Sequence, residues 1–220
     1  VFLYLEAIMI IDTHVHIFPD RIAQRTLEHL SSISHGIPYY TDGTFEGTLQ
    51  KQADWGISLG IALPIATRPE QQTSINSFAA KMQKNTKRLI SFGSVHPMAD
   101  DAMKELSRIK KLGLYGVKLH PDYQGYFFDD EQFFPLYEKI QELALPVVLH
   151  AGWDAVSPDV THAEPKAIAK VAKTFPDLIL VAAHMGGMLR YRQAMDHLVG
   201  LPNVYFDTAM SSKMLRQEEY

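Results

Sequence analysis

Seven times along this chain a short β-branched or apolar run gives way to a longer stretch with helical spacing. The runs are Met9–His16, Ile57–Ala66, Leu89–His96, Tyr115–His120, Pro146–Ala151, Leu178–His184 and Val204–Asp207. Each reads as a strand. Segments such as Asp100–Lys111, Glu131–Leu143, Pro165–Thr174 and Met188–Leu198 are long enough for right-handed crossovers between parallel strands. Pro146-Val147-Val148-Leu149 and Leu178-Ile179-Leu180-Val181 are apolar on both faces, as strands buried between helices and a core must be. That alternation is the signature of an α/β fold.

Polar residues recur at the carboxyl ends of many of these runs. An open sheet concentrates its ligands at one switch point, whereas a barrel gathers them around its whole mouth, so a barrel is expected. The longer connection from Asp20 to Trp55 is expected to hold a helix, a turn-rich stretch over Ser31–Gly47 and a second helix. After the seventh strand the chain continues as a helical-looking Met210–Glu219, with no eighth strand before Tyr220. The expected architecture is therefore a (β/α)8 TIM barrel lacking its eighth strand, one domain over residues 9–220 that is C-terminally truncated. Residues 1–8 read as an extension or start-site remnant: they precede Met9, and the apolar run to Ile11 is broken by Glu6 and too short to span a bilayer.

Composition narrows the chemistry. There are no cysteines, so thiolate metal sites and disulfides are excluded and any metal must use His, Asp or Glu. The lack of disulfides suits a cytoplasmic setting. The net charge of −4 carries no basic block, so neither nucleic acid nor an anionic membrane is an expected partner.

The chemistry gathers in histidines. Of ten, six fall at the ends of the strand runs: His14, His16, His96, His120, His150 and His184. In Asp12-Thr13-His14-Val15-His16, residues two apart share a strand face, so both imidazoles can enter the mouth while Val15 faces the helices and Asp12 lies below them on the same face. Such a pair suits a borderline divalent ion. His150 ends an apolar strand and is followed by small residues, Ala151-Gly152, which makes it the natural third ligand. His184 ends Leu180-Val181-Ala182-Ala183 before Met185-Gly186-Gly187, as a ligand or an acid/base group, with a helix start whose amides could face an anion.

The runs Asp-Thr-His-Val-His, Val-Val-Leu-His-Ala-Gly and Ala-Ala-His-Met-Gly-Gly, with Gly-Val-Lys-Leu-His-Pro at 116–121, resemble the amidohydrolase-related family that includes aminocarboxymuconate semialdehyde decarboxylase. The resemblance runs from Met9 onward. It implies a metal-dependent TIM barrel of the hydrolase type, with one divalent ion on His14, His16 and His150 and with His184 activating water or binding substrate. Zinc is the first choice of ion and manganese the second. The family's further aspartate, on strand eight, lies beyond this sequence, and Asp207 on strand seven is not that residue. Asp12 and Asp207 are assigned instead to supporting positions behind the ligands.

Lys118 and His120 share a face of strand four and are assigned, with Trp153, to binding a carboxylated substrate. The alternative for Lys118 is a core ion pair with Asp12 or Asp207. His96 and Trp153 both offer themselves as pocket lining or as plain packing. The first expectation for function is hydrolysis of a small carbonyl compound through water activated at the metal. The second is non-hydrolytic decarboxylation of an unsaturated or aromatic acid, and the third a silent metabolite-binding barrel. An open barrel edge favours a homodimer.

Overall fold

The computed structural model describes residues 9–34 and 36–214, so the expectation of an N-terminal extension over residues 1–8 and the second half of the expected terminal helix lie outside the described residues. All seven strands are present in the expected order: β1 (Ile11–Val15), β2 (Leu59–Ala62), β3 (Leu89–Ser91), β4 (Val117–Leu119), β5 (Val147–Leu149), β6 (Leu180–Ala182) and β7 (Val204–Phe206). Every pairing is parallel, in the orders β1-β2-β3 and β4-β5-β6-β7. A bridge between Gly93 and Val117 joins the two sets, with Lys118 N donating to Gly93 O at 2.7 Å. The result is one curved wall of seven strands, a partial (β/α)8 barrel.

The helices that cover it are α1 (Asp20–Ile33), α2 (Phe45–Asp54), α3 (Gln72–Asn85), α4 (Ala102–Lys111), α5 (Pro121–Gln124), α6 (Phe134–Glu142), α7 (Pro165–Thr174), α8 (Tyr191–Leu198) and a short α9 (Ser211–Met214). The long first connection folds as expected into α1, a turn-rich stretch and α2, which starts where Thr44 Oγ1 accepts from Gly47 N. Helix α7 begins at Pro165, whose missing N–H costs nothing in a first turn. No helix among the described residues is long and apolar enough to cross a membrane.

Side-chain alternation sets what the barrel presents at its mouth. Val117, Leu119, Val147, Leu149, Leu180 and Ala182 pack outward into a core shared with the helices. Val148, Leu63 and Phe92 form a separate interior cluster, joined by Ile61 and Val181. Residues two apart on a strand share a face. The inward parity of Val148 therefore passes to His150, and the parity opposite to Val117 and Leu119 places Lys118 and His120 inside. On β1, Val15 packs outward with Ile17, Ala62 and Leu89, which turns Asp12, His14 and His16 inward.

Candidate metal centre

Five imidazoles form a continuous arc across the mouth. His14 meets His16 edge-on at 5.1 Å between ring centroids and stacks on His184 at 5.4 Å. His184 meets His150 at 4.9 Å, and His150 stacks on His120 at 4.3 Å. Of the six strand-end histidines only His96 stands apart. It is buried, takes Met98 N on its Nδ1 and is held by Gln72 through its backbone, so it serves the β3–α4 connection.

The hydrogen bonds define which nitrogens are free. His14 Nδ1 donates to Asp207 Oδ2 at 2.7 Å and His16 Nδ1 donates to Leu63 O at 2.9 Å. Each Nε2 is left with a lone pair in the mouth, the arrangement by which a metal-binding histidine is oriented from behind. Burial, and in second place neighbouring positive charge, pushes both rings below the ordinary histidine range. Neutral imidazoles in this tautomer can ligate a divalent ion, so the strand-one pair fits the expected metal.

His184 reaches the arc by a route that strand alternation does not give. Its parity matches Leu180 and Ala182, which face outward, but its φ of 59° and that of Met185 at 55° break the strand and swing the ring into the mouth. Left-handed backbone at non-glycine residues costs about 1–2 kcal/mol per residue and persists only when the surroundings enforce it. Asp207 enforces it: Oδ1 accepts His184 N at 2.9 Å, and its backbone O accepts Met185 N at 2.7 Å. The side chain of His184 donates from Nδ1 to Ala209 O at 2.9 Å, and burial lowers its pKa to about 4.

Asp207 thus holds both the His14 ring and the His184 backbone, across the gap between β7 and β1. Burial opposes its charge, but the His14 bond and the His184 amide keep its carboxyl well below the ordinary range. Asp12 supports the same pair more weakly, accepting His14 N on Oδ1 at 3.1 Å. Replacing Asp207 by Asn removes the charge that fixes the His14 tautomer. The expected result is a 10- to 100-fold loss of metal affinity with the chain still folded, measured by metal titration; unchanged affinity would contradict this role.

Lys118 is 1% exposed, and no ion pair joins it to Asp12, Asp207 or another carboxylate among the described residues. The core ion pair offered as an alternative is not formed. Burial lowers its pKa to about 8, which leaves it cationic at neutral pH. His120 Nε2 lies 3.6 Å from Asp154 Oδ2, and His150 Nε2 lies 3.4 Å from the same oxygen and 3.2 Å from Trp153 O. Trp153 contributes that carbonyl, while its indole donates to Pro158 O at 3.1 Å within its own loop.

Asp154 escaped the sequence reading. Among the described residues, His120, His150 and Asp154 are the group whose ligand atoms lie within 4.8 Å of one another. No ring contact joins His14 or His16 directly to His150, so the expected three-histidine set is split between two ends of the arc, with His184 between them. The signal for Asp154 was its position, four residues after a strand-end histidine and beyond a glycine, but the partner it meets, His120, is thirty-four residues earlier. Burial raises its carboxyl to about 6.

The expected anion-facing amides after His184 are not available. Gly186 N and Gly187 N donate to Ala183 O and His184 O, Met188 N donates to Ala151 O at 2.8 Å, and α8 begins only at Tyr191. The first two close the turn after β6 and the third ties it to the end of β5, so none opens toward a ligand.

The amidohydrolase family profile matches residues 11–219. A 2-amino-3-carboxymuconate-6-semialdehyde decarboxylase from Dictyostelium discoideum is 34% identical over 84 residues, 37% of this chain and 23% of that relative's length. Among solved structures, an uncharacterised TIM-barrel protein from Bordetella bronchiseptica superposes with a TM-score of 0.75 at 21% identity, over 91% of this chain and 75% of the other. The 5-carboxyvanillate decarboxylase of Sphingomonas paucimobilis gives 0.61 at 15% identity, over 91% and 80%. These two likenesses are of fold.

Proposed function

The chain belongs to the amidohydrolase family, and from that premise we propose that it is a metal-dependent decarboxylase of a small unsaturated or aromatic acid. The observation that carries the choice of decarboxylation over hydrolysis is the 34% identity to a decarboxylase. The mouth is compatible with it. Hydrolysis was the first expectation from the residues, but the second, decarboxylation, fits the similarity better.

In this proposal His14 and His16, with His150 as the resemblance implies, hold one divalent ion; its identity, zinc or manganese, is part of the proposal. When bound, it supplies a positive charge that fixes a substrate oxygen and draws electron density from the carbon bearing the carboxylate. Lys118, buried, cationic and without an ion-pair partner among the described residues, binds the acid group and orients it. Once substrate displaces its contact with His150 Nδ1, 3.1 Å away, the Nε2 lone pair of His184 takes a proton from the substrate and returns it to the carbon as the carbon–carboxylate bond breaks and carbon dioxide leaves. One proton is returned for each carbon dioxide lost, and no water is consumed. His120 and the Trp153 segment of the loop after β5 form the wall opposite.

The test is carbon dioxide release from the metal-loaded protein with 2-amino-3-carboxymuconate-6-semialdehyde, 5-carboxyvanillate and 2,6-dihydroxybenzoate as probes. Release from at least one is expected, lost on chelation and lost in His184→Ala while metal remains bound. Products that have gained a water, with no carbon dioxide, would replace this reading with hydrolysis.

A further inference from the structure

The loop after β5 brings a charged acceptor to the mouth and leaves it without a donor among the described residues. Asp154 Oδ1 accepts Val156 N at 2.8 Å, which fixes the carboxylate within its own turn, and Oδ2 faces the arc. Two imidazole nitrogens approach Oδ2, and neither bonds it. His150 Nε2, 3.4 Å away, brings no proton. His184 Nδ1 donates to Ala209 O, so its Nε2 accepts from His150 Nδ1 at 3.1 Å, and the second His150 nitrogen is left as the lone pair that the proposed function gives to the strand-one ion. His120 Nε2 does carry a proton, because its Nδ1 accepts from Tyr123 N at 3.4 Å. At 3.6 Å, however, it stands beyond hydrogen-bond reach of Oδ2.

A donor and an acceptor 3.6 Å apart frame one kind of ligand atom. An oxygen about 2.7 Å from a carboxylate and about 2.9 Å from an N–H reaches both across such a gap. It must give a proton to Oδ2 and take one from Nε2, which a hydroxyl does and a carboxylate, an acceptor alone, does not. The frame is held in place: the His120 ring stacks on His150 at 4.3 Å and meets Tyr123 edge-on at 4.5 Å, and Trp153 N donates to Met188 O at 2.9 Å just before Asp154. The Asp154 side chain is 16% exposed, so the pair is open to a ligand. Covering a carboxylate oxygen with substrate costs free energy unless the substrate brings a donor. Asp154 also repels a second acid group, whereas Lys118, buried and cationic one step below His120 on the same face of β4, attracts the first.

We propose that Asp154 is a specificity-determining residue that, with His120, reads a hydroxyl group on the substrate, so that the acid taken by this mouth is a hydroxy acid and not a diacid. This rests on the reading of the mouth as the site of a small acid and deepens it. The acid group lies at Lys118, and the hydroxyl bridges His120 Nε2 and Asp154 Oδ2. Asp154 takes no part in breaking the carbon–carboxylate bond: it selects and orients.

The experiment is calorimetric binding of benzoate, the monohydroxybenzoates and isophthalate to the zinc-loaded protein at pH 7, where a carboxyl raised to about 6 is ionised and an ammonium lowered to about 8 is cationic. Benzoate is expected to bind wild type and to bind Lys118→Met less well, which tests the acid site by itself. At least one monohydroxybenzoate is expected to bind wild type about 10-fold more tightly than benzoate, the worth of a hydrogen bond to a charged group. Isophthalate is expected to bind less tightly than benzoate. In Asp154→Ala the hydroxyl preference is expected to vanish. Asp154→Asn keeps the oxygen that accepts Val156 N but puts a donor in the place of Oδ2. In that variant isophthalate is expected to gain about 10-fold relative to benzoate, a gain that a damaged fold would not produce. Benzoate bound through Lys118 with no hydroxyl preference, or with a preference unchanged in both Asp154 variants, would overturn the inference and leave the acid site intact. No binding of any of these acids would overturn both. A hydroxyl preference that depends on Asp154, while the probes of the preceding subsection release no carbon dioxide, would uphold the inference and overturn the decarboxylase reading.

Discussion

Acidifying the metal-stripped protein from pH 7 to pH 5 is expected to unfold it far above the range in which carboxylates usually titrate. Burial holds the five imidazoles of the arc toward their neutral form: His14, His16, His120 and His150 lie below the ordinary histidine range, and His184 is lowered to about 4, with burial the leading cause in every case. In the unfolded chain each takes a proton as the pH falls through about 6.5. The folded pKa values are lower, so the unfolded state binds more protons, and the stability present above 6.5 is lost between there and about 4. Asp154 acts in the opposite direction, since its carboxyl is raised to about 6 and the folded state gains stability as it protonates. Five lowered imidazoles set against one raised carboxyl leave the balance on the side of lost stability as the pH falls. A typical domain has only about 5–15 kcal/mol in total. Thermal unfolding followed across this range should show Tm collapsing below pH 6, with added zinc delaying the collapse. A Tm that stays flat from pH 7 to pH 5 would contradict the burial of the arc as neutral rings.

Substituting Gly152 by Ala is expected to cost more than any other single methyl added to a glycine of this wall. Gly152 follows His150 by two residues, has φ of +85°, and forms bridges to both Ala163 and Met188. A Cβ there would press on the backbone nitrogen and oxygen of Met188, well inside contact distance. Backbone cannot step aside as a flexible side chain would. Moving it would break Gly152 N to Ala163 O and Trp153 N to Met188 O, each 2.9 Å, and with them the path of the loop that carries Asp154. A loss of about 4 kcal/mol or more is expected, or about 10 °C in Tm for a chain of this size. Gly113→Ala is the control: its φ is +72°, yet nothing lies within 4 Å of the added carbon, so only about 1–2 kcal/mol of backbone strain is expected. Equal Tm values for the two variants would contradict this account of the loop.

These two results concern the parts of the molecule that sequence shows best and worst. The strands were legible because a parallel strand buried on both faces leaves a nearly unbroken apolar run, as at Val147–Leu149. The paired strands are shorter than the runs, since chain direction persists past the last ladder bond: β3 stops at Ser91, although the run continues to His96. Helix α7 has the bounds its composition gave, Pro165–Thr174, because a proline marks its first turn. Helix α5, four residues long, has no periodicity to read and is held by a His120 cap and a Gln124 side chain that reaches Ala66 O and Val95 O.

At the site, residues that follow strand parity were legible, as with His14, His16, Lys118, His120 and His150. His184 was visible as a strand-end histidine, but its entry into the mouth depends on left-handed backbone held by Asp207, twenty-three residues later. Asp154 depends on a loop that returns over His150 because Gly152 permits it. Both effects arise from contacts between segments remote in sequence, which composition and spacing do not encode.

The most direct measurement is the metal content of the dialysed protein compared with that of a His14→Ala, His16→Ala double variant. Both rings carry their Nδ1 proton toward an acceptor behind them, at Asp207 and Leu63, and both present Nε2 to the mouth. The account therefore expects the variant to remain folded, to bind one fewer equivalent of zinc or manganese than wild type, and to lose turnover. A variant that retains the full metal content of wild type would contradict the assignment of the strand-one pair as the metal's ligands.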